Sequence, residues 1–212
     1  MTLPARPALA GGRHPTLTIA LHWLSAFAVL LAFAVGWSRE AFDEDASRAV
    51  LMAVHQTAGL LVFALLLARL AARLALGTRV ADPSLARWVR LAATGGHLAL
   101  YAALAAMPLL GWALASAHGH PPRLLGVLPL PSIANVDPDL AETLEGWHSG
   151  LAWAMAAFIA SHVGAALWHH VFRRDGVLLG MLPEPVQRDP RGRRGPVPDG
   201  VAASEFGRSD FA

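Results

Sequence analysis

Five histidines lie inside long apolar stretches of this 212-residue chain, where a side chain that can carry charge is costly to bury. They are His22, His55, His97, His148 and His162. No carboxylate lies well inside any of these stretches, and the chain has no cysteine. Disulfides, iron–sulfur clusters, thiolate-bound metals and covalently attached c-type haem are therefore excluded. Buried metal chemistry has to use histidine, methionine or carboxylate ligands.

His148 and His162 provide the sharpest geometric indication. They are 14 residues apart, so on an α-helix they lie about 40° apart around the axis and about 21 Å apart along it. One helix would then present two imidazoles on one face at two depths. Each imidazole could bind its own metal centre.

The elements that must position these side chains are four transmembrane helices. The chain is 55% apolar and only 15% charged, with a mean hydropathy of +0.44, which departs from the composition of soluble domains. A transmembrane helix needs about 20 mostly apolar residues. Four such stretches predict spans near 16–37, 50–74, 91–116 and 143–172. We predict an all-α integral membrane four-helix bundle as a single domain over 16–183, preceded by a cytoplasmic segment, 1–15, and followed by a disordered cytoplasmic tail, 184–212.

Local signals add detail to this bundle. Pro108 lies inside the third span, where the missing backbone N–H predicts a kink. The proline-rich 117–142 connection predicts an ordered, non-helical cap on the outer face. Asp137 or Asp139 is expected at the start of the fourth helix, where a negative charge is favourable.

The distribution of arginine predicts the orientation. All 17 basic residues are arginines. The N-terminus, the 69–90 segment and the region after Val171 hold 14 of them, whereas the 38–49 and 117–142 connections hold three. By the positive-inside rule both termini are cytoplasmic. The arginines cluster at helix ends as topology anchors, so no nucleic-acid partner is expected.

Depth along the predicted helices pairs the histidines. His22 and His162 lie roughly 9 Å and 15 Å from the inner ends of their helices, and His55 lies roughly 8 Å from the outer end of its helix, at a depth similar to that of His148. Two stacked pairs that each bridge two helices are what two bis-imidazole haems require, because haem iron takes one axial ligand on each face. Any one of these histidines alone could instead bond a backbone carbonyl, but four at matching depths favour two haem b groups.

Glycines near the ligands are consistent with a bulky macrocycle. Gly59, Gly150 and Gly164 follow three of the histidines by two or four residues and could leave gaps in the helix packing. The alternative is close helix–helix packing, since Gly146 and Gly150 form a GxxxG spacing.

Over roughly 13–183 the chain resembles the prokaryotic cytochrome b561 family, which shares a domain type with the cytochrome b subunits of nickel–iron hydrogenases. The matching segments are Ile19-Ala20-Leu21-His22-Trp23-Leu24, Val54-His55-Gln56-Thr57-Ala58-Gly59, Gly96-His97-Leu98-Ala99-Leu100-Tyr101, Trp147-His148-Ser149, Ser161-His162, His169-His170 and Arg173, Asp175 and Gly176. The resemblance implies a four-helix dihaem protein that exchanges electrons with quinone. It implies His22, His55, His148 and His162 as the axial haem ligands, which is the same set that depth pairs.

Two further residues are expected at the inner haem. His97 matches a family motif as a residue near that haem, and with Tyr101 one turn later it is expected to contact a propionate or quinone, the alternative being a helix–helix hydrogen bond. Arg69, and with it Arg73, lies near the inner end of the second helix. We predict a charge-assisted propionate contact for Arg69, the alternative being that it extends to lipid headgroups.

The sequence thus predicts a transmembrane dihaem b-type cytochrome that transfers electrons between a donor and the quinone pool, with ubiquinone or another quinone as partner. Some relatives are described as oxidising superoxide, so the resemblance implies superoxide as one candidate donor. The alternative is a haem-bearing membrane anchor and electron-transfer subunit of a separate dehydrogenase or hydrogenase. The expected partners are membrane lipid, quinone and a redox partner protein. A metal or proton transporter is disfavoured because the spans lack carboxylates.

Overall fold

The computed structural model describes residues 13–38, 41–42, 44–77 and 86–183, and its architecture is four long helices. These are α1 (Thr16–Ser38), α2 (Asp45–Leu76), α3 (Arg87–Ala117) and α4 (Pro138–Trp168). All four are long and apolar enough to cross a membrane. The predicted all-α membrane four-helix bundle is therefore confirmed. The disordered tail predicted at 184–212 lies outside the described residues, as does most of the predicted 1–15 segment.

Helices α2, α3 and α4 begin four or five residues before the predicted apolar spans. At α4, Asp137 is the N-cap and its Oδ1 accepts hydrogen bonds from the backbone N–H groups of Asp139 and Leu140, both at 3.0 Å. Pro138 follows at the first helical position, where its missing N–H costs nothing. Pro108 lies within α3, which continues on both sides of it.

The connection between α3 and α4, residues 118–137, is non-helical, as its prolines predict, whereas residues 138–142 of the predicted 117–142 connection already belong to α4. It contains a short antiparallel hairpin of β1 (Arg123–Leu124) and β2 (Leu128–Pro129). The hairpin loop is the three residues 125–127, of which Leu125 and Gly126 have positive φ, 54° and 72°. The indole N–H of Trp112 donates to the Pro131 carbonyl at 2.9 Å, which fastens the cap to α3.

The segment after α4 returns to the start of α1. A π-helical turn, His169–Arg173, ends the helix, and Arg174 adopts the left-handed conformation. Trp23 of α1 then donates its indole N–H to the Met181 carbonyl at 2.7 Å, and the His14 N–H donates to the Gly180 carbonyl at 3.2 Å. We name this the inner end of the bundle and the opposite end, where α2 and α4 begin, the outer end.

Close backbone approach is uneven around the bundle. It occurs mainly between α1 and α2, between α3 and α4, and less between α2 and α3, whereas α4 has few close approaches to α1 or α2 among the described residues. A buried apolar layer still joins the four helices at mid-height and consists of Ala28, Val29, Val62, Ala103 and Met155. Met155 is seven residues from both His148 and His162. The layer therefore separates an inner level from an outer level.

Candidate functional site

The four paired histidines meet as two pairs of rings at these two levels. At the inner level the ring centroids of His22 and His162 are 6.2 Å apart, with planes at 63°. At the outer level those of His55 and His148 are 6.1 Å apart, with planes at 73°. Each pair joins α4 to a helix that its backbone scarcely approaches, so the side chains span the gap between the two helical hairpins.

The spacing of both pairs fits a single metal atom between the rings. A metal–imidazole bond of about 2.0 Å and roughly 1.15 Å from nitrogen to ring centre, taken on both sides, give a centroid separation of about 6.3 Å. Both ring planes then contain the metal–nitrogen axis, and the angle between them is unrestricted. Edge-to-face contact alone spans about 4.5–7 Å, so the repetition of nearly one value at two levels is the informative feature.

One of the two outer rings makes the hydrogen bond that is usual for a metal-bound histidine. His55 Nδ1 lies 2.9 Å from the carbonyl oxygen of Ala32, to which it donates its N–H, so Nε2 keeps its lone pair. A ligand histidine usually makes such a bond, which sets its tautomer and orientation. The Nδ1 atom of His148 is buried and has no hydrogen-bond partner in the described part of the chain.

The glycines near the ligands border open space. A Cβ atom added to Gly59, Gly150 or Gly164 would meet nothing within 4 Å apart from the backbone of its own helix. The same holds for Gly146, so the Gly146–Gly150 spacing packs against no other described helix. Helix packing within the described part of this chain therefore does not explain the three ligand-adjacent glycines.

A cationic cluster lies beside the inner pair. The guanidinium carbons of Arg69 and Arg73 lie 5.3 Å and 5.8 Å from the ring centroid of Tyr101, the one tyrosine of the chain. Arg69 Nη2 lies 3.5 Å from His22 Nδ1, at the long limit for a hydrogen bond. The ring of His97 lies 5.5 Å from that of His162. This is shorter than the spacing that a bridging metal would set, which distinguishes His97 from the paired histidines.

Two other histidines make contacts away from both levels. His169 Nδ1 lies 2.5 Å from Asp175 Oδ2 beyond the end of α4, and His120 Nδ1 lies 2.9 Å from the His118 carbonyl oxygen in the outer cap. Across the described residues, no group of three or more His, Cys, Asp or Glu side chains could hold a bare metal ion. Two ligands per centre fit haem iron, whose remaining ligands come from the porphyrin.

Two contacts at the outer level could not be read from the sequence. Gly36 of α1 lies against the ring of His55, and Gly111 of α3 lies against the ring of His148. Neither glycine is close in sequence to the histidine that it contacts. They became recognisable only when the helices were packed.

The model of the family described as Prokaryotic cytochrome b561 matches residues 13–184, which include both histidine pairs. The chain belongs to the prokaryotic cytochrome b561 family. It is 33% identical over 178 residues to Cytochrome b561 homolog 1 of Escherichia coli (strain K12), covering 81% of this chain and 97% of the relative. It is 32% identical over 174 residues to Cytochrome b561 homolog 2 of the same organism, covering 80% and 91%. It is also 29% identical over 175 residues to a protein named Probable superoxide oxidase CybB of Yersinia pestis, covering 81% and 97%.

Family membership gives the class of cofactor. Members of this family carry b-type haem between membrane helices, so the chain is a bacterial membrane haemoprotein of electron transport, in contact with lipid through its four helices. The paired imidazoles, the open space beside α4 and the two-ligand centres all fit that group.

Proposed function

We propose that this protein holds two haem b groups and transfers single electrons between a donor at the outer face and quinone. The observation that carries the proposal is the repetition of one ring spacing, 6.2 Å and 6.1 Å, at two levels of the bundle. His22 and His162 would hold the inner haem, and His55 and His148 the outer haem. When bound, each haem supplies a one-electron couple inside the membrane.

The chain's own groups prepare these sites for electron transfer. The imidazoles supply neutral ligands, and the Ala32 carbonyl holds His55 in one tautomer. The apolar layer around Met155 keeps water from the space between the levels. Low polarity and fixed hydrogen bonds are the means by which a protein sets haem potentials.

Arg69 and His97 are proposed to contact the inner haem propionates or a quinone. Arginine can only donate, so the contact of Arg69 with His22 Nδ1 requires a lone pair on that nitrogen. If Nε2 held the iron, Nδ1 would carry the proton and could no longer accept this hydrogen bond, although the guanidinium would stay beside the same ring. Arg69 then needs another acceptor, and a propionate carboxylate beside the same ligand is the strongest one available.

The orientation proposed is with both termini in the cytoplasm and the His55–His148 level toward the outside of a bacterial inner membrane. The arginine asymmetry supports it. A cysteine placed in the 117–142 cap should react with a membrane-impermeant maleimide in whole spheroplasts, and one placed before α1 should react only after lysis. The reverse labelling would invert the assignment.

Superoxide is one candidate donor because a relative is named a probable superoxide oxidase. The charge of the outer face argues against efficient capture of an anion, since the 38–49 and 117–142 connections hold seven carboxylates and three arginines. Repulsion between like charges is weakened by salt. Haem reduction by superoxide should therefore accelerate as ionic strength rises at fixed superoxide concentration. Reduction that slows with salt would contradict this repulsion argument. No reduction by superoxide while other donors reduce the haem would remove superoxide as the donor.

The same acidic outer face favours a second candidate function, that of a haem-bearing membrane anchor and electron-transfer subunit for a separate dehydrogenase or hydrogenase with a basic docking surface. Purification from the native membrane in mild detergent decides between the two. A large redox subunit that co-purifies in a fixed ratio, and whose substrate reduces the haems, would establish the anchor function.

The experiment that tests the central proposal is haem quantification with reduced-minus-oxidised spectra on the purified protein. We expect two b-type haems per chain. His55→Ala, His148→Ala and the double variant should each lose the same haem, and His22→Ala and His162→Ala should each lose the other. His118→Ala and His170→Ala are matched controls that should keep both. One haem per chain, or different losses for the two members of a pair, would overturn the pairing.

A further inference from the structure

The ring of His55 lies in a notch on α1 that exists because residue 36 has no side chain. A Cβ atom at Gly36 would lie 3.1 Å from both Cε1 and Nδ1 of His55. That separation is tighter than ordinary carbon contacts of about 3.5–4.0 Å. Any larger residue at position 36 would therefore push against the edge of the ring that bears Nδ1.

This notch also gives the imidazole access to a backbone carbonyl. Ala32 precedes Gly36 by four residues, so its carbonyl is the one that the Gly36 N–H bonds within the α-helix. His55 Nδ1 reaches the same oxygen at 2.9 Å, which makes it a shared acceptor. The missing side chain at Gly36 leaves the path to this oxygen open.

The second outer ring meets a glycine of a different helix in the same way. A Cβ atom at Gly111 of α3 would lie 3.2 Å from Cε1 and 3.6 Å from Nδ1 of His148. The two rings of the outer pair are thus each backed by the bare backbone of a neighbouring helix, α1 on one side and α3 on the other. Gly59, Gly95, Gly96 and Gly164 have no comparable neighbour, since a Cβ on any of them would meet nothing within 4 Å beyond its own helix backbone.

We propose that Gly36 and Gly111 are positioning residues for the outer haem, holding the rings of His55 and His148 from behind and setting their rotation about the iron–nitrogen axis. The proposal rests on the haem ligation proposed above. It adds that α1 and α3, which supply neither outer ligand, determine the orientation of both. In the case of His55 the notch also determines its hydrogen bond.

A methyl group at either position should disturb one haem and leave the other unchanged. In Gly36→Ala the ring of His55 has to turn or withdraw, which weakens its bond to the Ala32 carbonyl. Losing one neutral hydrogen bond corresponds to a factor of roughly 3 to 10 in an equilibrium, so haem should be lost from the outer site about 3 to 10 times faster. Gly111→Ala should turn the ring of His148 without breaking a hydrogen bond, because the Nδ1 atom of His148 has no partner among the described groups.

The test uses the haem-loaded full chain in detergent. Gly36→Ala and Gly111→Ala are compared with Gly146→Ala and Gly95→Ala, two matched controls in which the new methyl meets nothing. The readouts are the largest g value of each low-spin ferric haem, which depends on the angle between its two imidazole planes, the two midpoint potentials, and the rate of haem transfer to excess apomyoglobin.

We expect the g value and potential of one haem to shift in both test variants, transfer of that haem to accelerate only in Gly36→Ala, and both controls to match the wild type. The unchanged inner haem reports that the variant is folded. If both haems are present and neither test variant differs from the controls, the positioning role is refuted while the haem proposal stands. If the wild type holds no haem at the His55–His148 level, the proposed function itself fails.

Discussion

Arg69→Gln is expected to lower the midpoint potential of the inner haem. The guanidinium of Arg69 lies 3.5 Å from His22 Nδ1, and the imidazole and the iron–nitrogen bond add at most about 4 Å. A unit charge about 7.5 Å from the iron interacts with it by about 2 kcal/mol at an effective dielectric constant of about 20. For a one-electron couple that energy corresponds to about 90 mV. Because a nearby cation favours the reduced state, the potential should fall when the charge is removed.

The measurement is a redox titration in a His55→Ala background, where only the inner haem remains. Screening by water and lipid headgroups reduces the effect, so a decrease of about 50–90 mV is expected. Arg73→Gln is the matched control, because Arg73 covers the same Tyr101 ring but lies one helical turn farther along α2. A potential equal to that of the parent, or an equal decrease in both variants, would refute the assignment of Arg69 to the inner haem.

Three other predictions concern the frame of the bundle. Asp137→Ala removes the acceptor of two N–H groups at the start of α4 and should cost about 1 kcal/mol, seen as a lower thermal unfolding midpoint in detergent; an unchanged midpoint would contradict the capping role. Leu125 has left-handed backbone, which costs a residue with a side chain about 1–2 kcal/mol. Leu125→Gly removes that cost and should raise the unfolding midpoint, whereas Leu125→Val should lower the midpoint. Trp23→Phe removes a donor to Met181 worth about 1 kcal/mol; limited proteolysis within 174–183 should then accelerate, and equal rates would show that the bond does not hold this segment.

The four helices and the depth of each histidine follow from the sequence because two regular lengths apply inside a membrane. A span has to cover the hydrocarbon layer, and an α-helix rises by a constant step per residue. The charge-free stretches therefore located the helices to within about five residues, and of the two aspartates predicted at the start of α4, Asp137 is the N-cap. His22 facing His162, and His55 facing His148, is the arrangement that depth alone predicts.

The sequence does not determine the rotation of each helix about its axis. In a soluble helix the apolar face marks the core, but in a membrane both lipid-facing and core-facing residues are apolar. The sequence therefore offered Gly59, Gly150 and Gly164 as neighbours of the haem because they lie near ligands in the chain. It did not single out Gly36 or Gly111, which touch ligands of other helices.

By itself the sequence determined a membrane bundle of four helices and a set of intramembrane histidines sorted by depth, because composition and helical rise are properties of the chain alone. The electron-transfer class of function came from the resemblance of its motifs to a family. The tertiary structure decided which backbones touch the rings, where the gap beside α4 lies, and that Arg69 reaches both His22 and Tyr101. Those features depend on the separation and rotation of packed helices. Neither quantity is encoded in the spacing of residues along one helix.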